Sequence, residues 1–312
     1  TDAPVVTIGV TRLEAPDAQR PLALSIWYPA VGGATETIGG NAVFVGTQAV
    51  PDAPPAEGRY PIALISHGGL RAAQGSGNWL AAALARAGVV ALVVSGPRPS
   101  DAAAAVDEIW RRPDDLSRAL DRILATEGWS RRIDATRVSA IGFALGGTAA
   151  LVAGGAGIDP PTYLRSCAQG GPVGPDCAWF AAQGSGLDQA DAAGLTAVRR
   201  DPRIGSVVAI EPEYIHALTA TDDAPASPAL IVLLGGADAP SDRTVPAAEI
   251  TIRDARLTDG FPLCTSAGPA ILAEEGEDPA LCGSSAEARA RIHTEIADTV
   301  LEFLAADGTA PR

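Results

Sequence analysis

Apolar positions along the chain follow two patterns, short runs typical of strands and longer periodic runs typical of helices. Residues 5–13 and 22–28 alternate or are β-branched, and their short connection predicts an antiparallel pair. Residues 62–66 and 89–95 are almost continuously apolar, which is typical of strands buried on both faces. Four further strands are predicted at residues 137–143, 206–210, 229–234 and 249–253.

Runs with helical periodicity separate these strands. Residues 78–87 are predicted as a helix that ends at Gly88, and residues 107–127 as a longer helix that Pro113 breaks or restarts. A helix rich in small residues is expected to begin at Gly146. An amphipathic C-terminal helix is predicted from apolar positions at helical spacing within residues 287–305, namely Ile292, Ile296, Val300 and Leu304.

The alternation of strands and helices predicts an α/β fold, in which helices cover both faces of a mostly parallel sheet. The antiparallel N-terminal pair is expected at one edge of that sheet. We expect residues 1–312 to form one domain. Residues 158–203 interrupt the alternation with many Gly, Pro, Asp and Ala, so we interpret them as a cap-like insertion. Residues 32–58 form a second irregular stretch.

Composition excludes several classes of protein. Hydrophobic residues make up 47% of the chain and charged residues 19%, which is an ordinary globular mixture and argues against disorder or a coiled coil. The 23 basic and 37 acidic side chains give a net charge of −14. This charge argues against nucleic acid and anionic membranes as main partners. The apolar runs are too short to predict a transmembrane helix.

The four cysteines lie in two close pairs, Cys167 with Cys177 and Cys264 with Cys282. Neither pair has the CxxC spacing of a zinc site, so we favour two disulfides, with buried free thiols as the alternative. Disulfides imply an oxidising compartment, and a periplasmic or secreted bacterial protein is expected. Met is absent, and the segment from Thr1 to Pro4 resembles a mature N-terminus left by a removed presequence or a trimmed chain.

The clearest motif is Ile141-Gly142-Phe143-Ala144-Leu145-Gly146-Gly147, at a predicted strand-to-helix junction. Small residues at positions 142 and 146 permit the tight turn of the G-x-S-x-G nucleophile elbow, which exposes the hydroxyl of its middle Ser. The backbone N–H of Leu145 would help to stabilise an oxyanion. Position 144 is Ala, so the turn is predicted without its nucleophile.

Two further loops follow predicted strands. Ser66-His67-Gly68-Gly69-Leu70 follows the strand at 62–66, and we expect the N–H of Gly69 or Leu70 to form the other half of an oxyanion hole. His67 is expected to be structural. Leu234-Gly235-Gly236-Ala237-Asp238 follows the strand at 229–234, and Asp238 is predicted to be the acid that orients a His.

These stretches occur in an order that resembles a known family. Together with Ile26-Trp27-Tyr28-Pro29-Ala30, Tyr60-Pro61 and Arg112-Pro113-Asp114-Asp115-Leu116, they resemble bacterial α/β-hydrolases of the dienelactone-hydrolase-like group, related to the platelet-activating-factor acetylhydrolases. The resemblance covers most of the chain. It implies the α/β-hydrolase fold and an ancestry in the serine-dependent hydrolysis of esters or amides.

The family's catalytic His is missing from its expected place. That His usually follows the last strand and precedes a Cys, but residues 254–264 contain no His and have Leu257 in that region. The chain has only three His. His293 is the best remaining base, with packing in the terminal helix as the alternative. His216 has the wrong chain order for the usual triad.

Two interpretations of the function stay open. In the first, the chain is a serine-type ester or amide hydrolase, inactive because Ala144 has replaced the nucleophile, as in an engineered Ser→Ala variant, while Asp238 and His293 remain. In the second, it is a natural pseudo-hydrolase that binds a ligand or a partner subunit. Both predict a pocket beside Ala144 for a small-molecule, peptide or polyester-type substrate, and no metal or other cofactor. The expected pocket residues are His67, Trp179, Phe180 and Leu257.

Overall fold

A computed structural model of the protein describes residues 6–70, 72–171, 174–221, 226–235 and 244–311. A mixed sheet runs through the centre of the molecule and is built mostly from apolar segments. Its strands are β1 (Thr7–Ala15), β2 (Leu22–Ala30), β3 (Glu36–Ile38), β4 (Thr47–Pro51), β5 (Tyr60–His67), β6 (Val90–Ser95), β7 (Ile133–Phe143), β9 (Ile204–Ile210), β11 (Ala229–Leu234) and β12 (Ala248–Ile252). Two short strands, β8 (Gly157–Ile158) and β10 (Leu218–Thr219), pair with each other outside this sheet.

The strand order is β12-β11-β9-β7-β5-β6-β2-β1-β4-β3. The six strands from β12 to β6 are parallel, as their continuous apolar runs predict. β2 is antiparallel to β6 and to β1, which confirms the predicted N-terminal pair. β4 and β3 extend the sheet beyond this pair. They come from the stretch at 32–58 that was predicted to be irregular, because these strands are short and partly polar.

Helices cover both faces of the sheet. They are α1 (Asn78–Arg86), α2 (Ala102–Ala105), α3 (Glu108–Leu124), α4 (Leu145–Ala153), α5 (Pro160–Leu164), α6 (Cys177–Ala182), α7 (Ala192–Ala197), α8 (Gly268–Glu274) and α9 (Ala286–Ala306). Leu84 of α1 and Ile296 of α9 share one buried cluster with Ile65 of β5. Leu116 of α3 and Ala149 of α4 belong to the cluster on the other face.

The helix predicted around Pro113 differs from expectation. α3 continues through Pro113, so the predicted break is wrong. A proline inside a helix removes one hydrogen bond, and here its ring is buried in the core face of α3, where packing offsets that loss. α9 matches its prediction closely, and its four apolar positions at helical spacing are all buried.

The segment at 158–203 contains α5, α6 and α7 and packs on the face covered by α3. Phe180 and Leu195 belong to the same buried cluster as α3 and α4. Both predicted disulfides are present, Cys167–Cys177 in this segment and Cys264–Cys282 after β12. Among the described residues, no helix has the length and apolarity needed to cross a membrane.

The direction in which the chain leaves each strand defines two crevices. After β5 it enters α1 on one face of the sheet, whereas after β6 and after β7 it reaches α3 and α4 on the opposite face. β5 lies between β6 and β7 in the sheet. The carboxyl end of β5 is therefore flanked by two points where neighbouring connections diverge, and such points open crevices above a parallel sheet.

Candidate active site

The turn between β7 and α4 has the geometry of a nucleophile elbow. Ala144 sits at the tip with φ 57° and ψ −127°, a left-handed conformation that is strained for a residue with a side chain. A Cβ on Gly142 would lie 2.0 Å from the carbonyl oxygen of Gly146. A Cβ on Gly146 would lie 1.9 Å from the carbonyl oxygen of Ser66. Both glycines are thus required for the close approach of backbone segments, as the sequence motif predicts.

Hydrogen bonds to both sides of Ala144 hold the turn in place. Its N–H donates to the carbonyl of Ile210 at 3.0 Å, and its carbonyl accepts the N–H of Glu213 at 3.3 Å. Leu145 is the first residue of α4, where a backbone N–H has no acceptor within the helix. The elbow therefore keeps the N–H of Leu145 at a helix N-terminus, although the nucleophile position carries a methyl group.

The loop after β5 lies beside the elbow. His67 is in register with Phe143, and the Gly68 N–H donates to the Phe143 carbonyl at 2.9 Å. Arg112 fixes this loop from α3, since its guanidinium donates to the carbonyls of Gly68 at 2.7 Å and Gly69 at 3.0 Å. Gly69 and the following Leu70, the predicted oxyanion-hole residues, are thus placed next to the elbow by their backbone. The sequence did not show this contribution of Arg112.

His67 has a structural environment, as expected. Its Nδ1 is 2.9 Å from the Ser76 hydroxyl, and its ring packs against Phe143 with 4.9 Å between ring centroids. Burial lowers the pKa of His67 to about 3, and the neighbouring His293 acts in the same direction. An imidazole with such a low pKa is a weak base at neutral pH.

His293, the predicted base, is held between α1 and the loop before α8. Its Nε2 lies 2.9 Å from the backbone carbonyls of both Asp259 and Phe261, so it is protonated and donates there. Its ring stacks on Trp79. Burial lowers the pKa of His293 to about 4. These contacts match the packing role that was the alternative for His293, and none of them joins it to Ala144.

The remaining predicted residues do not converge on one pocket. Nε2 of His216 is 2.8 Å from the Ser166 hydroxyl, and burial lowers its pKa. Leu257 is 59% exposed, whereas Phe180 is 1% exposed and packs in the core with Trp179 against it. The predicted acid, Asp238, lies outside the described residues.

Glu213 is a site residue that the sequence did not reveal. It is largely buried beside the elbow, with Oε1 3.2 Å from where a Cβ on Gly69 would lie. Burial and, to a smaller extent, the negative charge of Asp176 raise the pKa of Glu213 to about 8, against the opposing positive charge of Arg112. The sequence does place Glu213 just after β9, the strand next to β7 in the sheet, and this position could have indicated a residue near the elbow.

The structure permits a comparison with known proteins. No protein-family model matches the sequence, and no curated protein matches it. Among solved structures, a ferulic acid esterase from Streptomyces cinnamoneus superposes with a TM-score of 0.59 at 16% identity, over 95% of this chain and 90% of the esterase. The chain has the α/β-hydrolase fold. At this level of identity the likeness concerns the fold alone.

In the α/β-hydrolase fold, acyl transfer needs a nucleophile, a base and oxyanion donors. This chain retains the elbow and the N–H groups beside it, and it lacks a hydroxyl at position 144. The described residues contain no group of three or more His, Cys, Asp or Glu side chains placed to hold a metal ion. Its two disulfides indicate an oxidising compartment outside the cytoplasm.

Proposed function

We propose that the protein is a pseudo-hydrolase, a ligand-binding module that keeps the α/β-hydrolase fold and does not transfer acyl groups. The His side chains, and not only Ala144, support this proposal. All three His of the chain lie in the described residues. Each of them forms a hydrogen bond with a group outside the elbow, namely the hydroxyl of Ser76 or Ser166 or the carbonyl of Asp259. We therefore expect that restoring a Ser at position 144 would not restore a triad.

The pKa values of these His support the same conclusion. A general base is most effective when its pKa lies near the working pH. The pKa of His67 is about 3 and that of His293 is about 4, and burial also lowers the pKa of His216. A Ser hydroxyl without an effective base is a poor nucleophile.

A second candidate is an ester hydrolase that has lost only its nucleophile. The strained conformation of Ala144 favours it, because a left-handed turn held by two obligatory glycines is costly to keep without use. The esterase of similar fold is consistent with it. Under this candidate, the loop that carries Asp238 would supply the acid, as the sequence predicts.

The variant Ala144→Ser separates the two candidates. Both forms would be assayed on short- and medium-chain nitrophenyl esters and on methyl ferulate, with a fluorophosphonate probe that labels activated Ser. We expect the folded Ser variant to remain inert to esters and probe alike. Turnover or labelling that is absent from the parent chain would overturn the pseudo-hydrolase proposal and identify an inactivated hydrolase.

Three less specific predictions accompany the proposal. The ligand is expected to be a small molecule or a peptide or polyester fragment, in a protein located in the periplasm or secreted. The chain is expected to act as one domain, in which the segment at 158–203 serves as a cap-like insertion. The closer relationship to dienelactone-hydrolase-like proteins rests on the sequence motifs.

A further inference from the structure

The crevice between β5 and β6 contains a cavity that is separate from the elbow. The elbow occupies the crevice on the other side of β5, between β5 and β7. The cavity has a volume of about 510 Å³. Its walls include the ends of β5 and β6, the loop at 72–77 and the inner side of α3. Gly69 and Leu70, the predicted oxyanion-hole residues, also line it, whereas Ala144 and Leu145 do not. A volume of this size accommodates a small organic ligand.

The buried charges in the cavity wall are already paired. Glu108 and Asp115 are each 3% exposed, and the guanidinium of Arg20 binds both of them, with contacts of 2.7 Å to each. Arg112 is committed to Glu108 at 3.3 Å and to the loop carbonyls after β5. A charged ligand would have to compete with these contacts. Glu14 and Arg98 of the wall are exposed and carry opposite charges, so they favour neither sign of ligand.

Neutral polar groups of the wall remain available. The hydroxyls of Ser66 and Ser95 and the side-chain amide of Gln74 make no hydrogen bond in the described part of the chain. Ser66 is only 5% exposed as a residue, and its side chain lines the cavity, where the hydroxyl can meet a ligand. The apolar remainder of the wall includes Leu70 and Val94.

We propose that this cavity, hereafter the β5–β6 cavity, binds a neutral, hydroxyl-bearing small molecule through Ser66 and Ser95. The proposal rests on the proposed function in taking the chain as a binding module, and it adds the place and the chemical class of the ligand. Hydroxyl and amide groups can exchange donors and acceptors with a polyol or a phenol. Among the described residues of the wall, the paired charges leave no comparable anchor for an ion.

The test is NMR mapping on the isotope-labelled full chain with matched fragments. Neutral probes are glycerol, a methyl hexopyranoside and methyl ferulate, and charged probes are benzoate and benzylamine. We expect the neutral probes to shift the backbone amides of Ser66, Gln74 and Ser95, with little change at Leu145 and Gly146. Shifts confined to the elbow, stronger binding of the charged probes, or no shift by any neutral probe would overturn the proposal.

Matched variants assign the binding to the two hydroxyls. Ser66→Ala and Ser95→Ala should each weaken the best neutral probe by about five-fold, the loss expected for one hydrogen bond between neutral groups. Ser284→Ala, at an exposed loop position, should leave the affinity unchanged. An unchanged affinity in both cavity variants contradicts the proposal. The outcome is independent of the ester assay, because a catalytically active Ala144→Ser variant would refute the pseudo-hydrolase and leave the fragment map intact.

Discussion

The imidazole of His293 stacks on the indole of Trp79, with 3.7 Å between ring centroids and 6° between ring planes. This stack joins α9 to α1 on the face of the sheet opposite α3 and α4. The Nε2 of His293 donates to the loop that precedes α8. His293, which the sequence suggested as a base, therefore connects α9, α1 and the loop before α8. Its protonation state should affect the free energy of unfolding.

Acid should destabilise the protein through His293. Its pKa is about 4 in the folded chain against an ordinary 6.5, so the unfolded chain binds more protons between these values. Stability is therefore complete above pH 6.5 and falls as the pH decreases toward 4, by about 3 kcal/mol for this group. Denaturant unfolding at pH 7, 5.5 and 4.5 measures the slope. His293→Gln keeps an amide donor for the carbonyls and should make the slope smaller, with His67 supplying the remainder. Parallel slopes in both proteins would contradict the assignment.

Glu213 should have the opposite effect. Its folded pKa of about 8 lies above the ordinary value of 4.5, so the folded chain holds a proton that the unfolded chain has lost. The contribution is complete below pH 4.5 and is lost as the pH rises through 8. Glu213→Gln removes this dependence and should raise the free energy of unfolding at pH 8.5 by about 5 kcal/mol. The exposed Glu287→Gln in α9 is the control and should change little.

Gly146 should tolerate no side chain. In Gly146→Ala the new methyl would stand 1.9 Å from the carbonyl oxygen of Ser66, a backbone atom that cannot move aside. We expect a loss of about 4 kcal/mol or failure to fold, as for other severe overpacking in cores. Gly205→Ala is the control, because its methyl would be 3.5 Å from the nearest atoms. Thermal unfolding compares the two, and a mild effect at position 146 would argue against the elbow geometry.

Ala144→Gly should stabilise the protein. The left-handed backbone conformation of Ala144 costs a residue with a Cβ roughly 1 to 3 kcal/mol, whereas Gly adopts this conformation freely. After the greater flexibility of Gly in the unfolded chain is counted, a net gain of about 1 kcal/mol is expected. The same exchange within a helix, Ala290→Gly in α9, should cost about 1 kcal/mol. Denaturation midpoints with these opposite signs would verify the strain at position 144.

Much of the fold could be predicted because it depends on local patterns. The continuous apolar run of β5 shows that both faces of this strand are buried, and the periodic Ile and Val of α9 show which face of this helix is buried. Each pattern can be recognised within its own segment of the sequence. The elbow could be predicted for the same reason, since its two glycines are four residues apart. β3 and β4 were missed because they are short and partly polar, and they become strands only because β4 pairs with β1 and β3 pairs with β4.

The chemistry of the site depends on contacts between distant segments. Glu213 is acidic and follows a strand, which usually means solvation, and only the folded chain shows it buried against the Gly69 loop. Arg112 is 43 residues from Gly69, so its hold on that carbonyl leaves no trace in the sequence. His293 was offered as a base because few His exist, whereas its neighbours Ile292 and Ile296 had already indicated a packed helix face.

The segment after β12 is joined to the segment before β4. Phe44 forms a bridge with Cys264, and the Thr265 hydroxyl donates to the Ala42 carbonyl, 223 residues away in sequence. Contacts this distant slow folding, because a long loop must close before they form. A ribosome adding about 5 to 20 residues per second needs roughly 10 to 45 s to make the intervening chain. The loop between β3 and β4 therefore reaches its final contacts only when almost the whole polypeptide has been made, so its docking is a late event in folding.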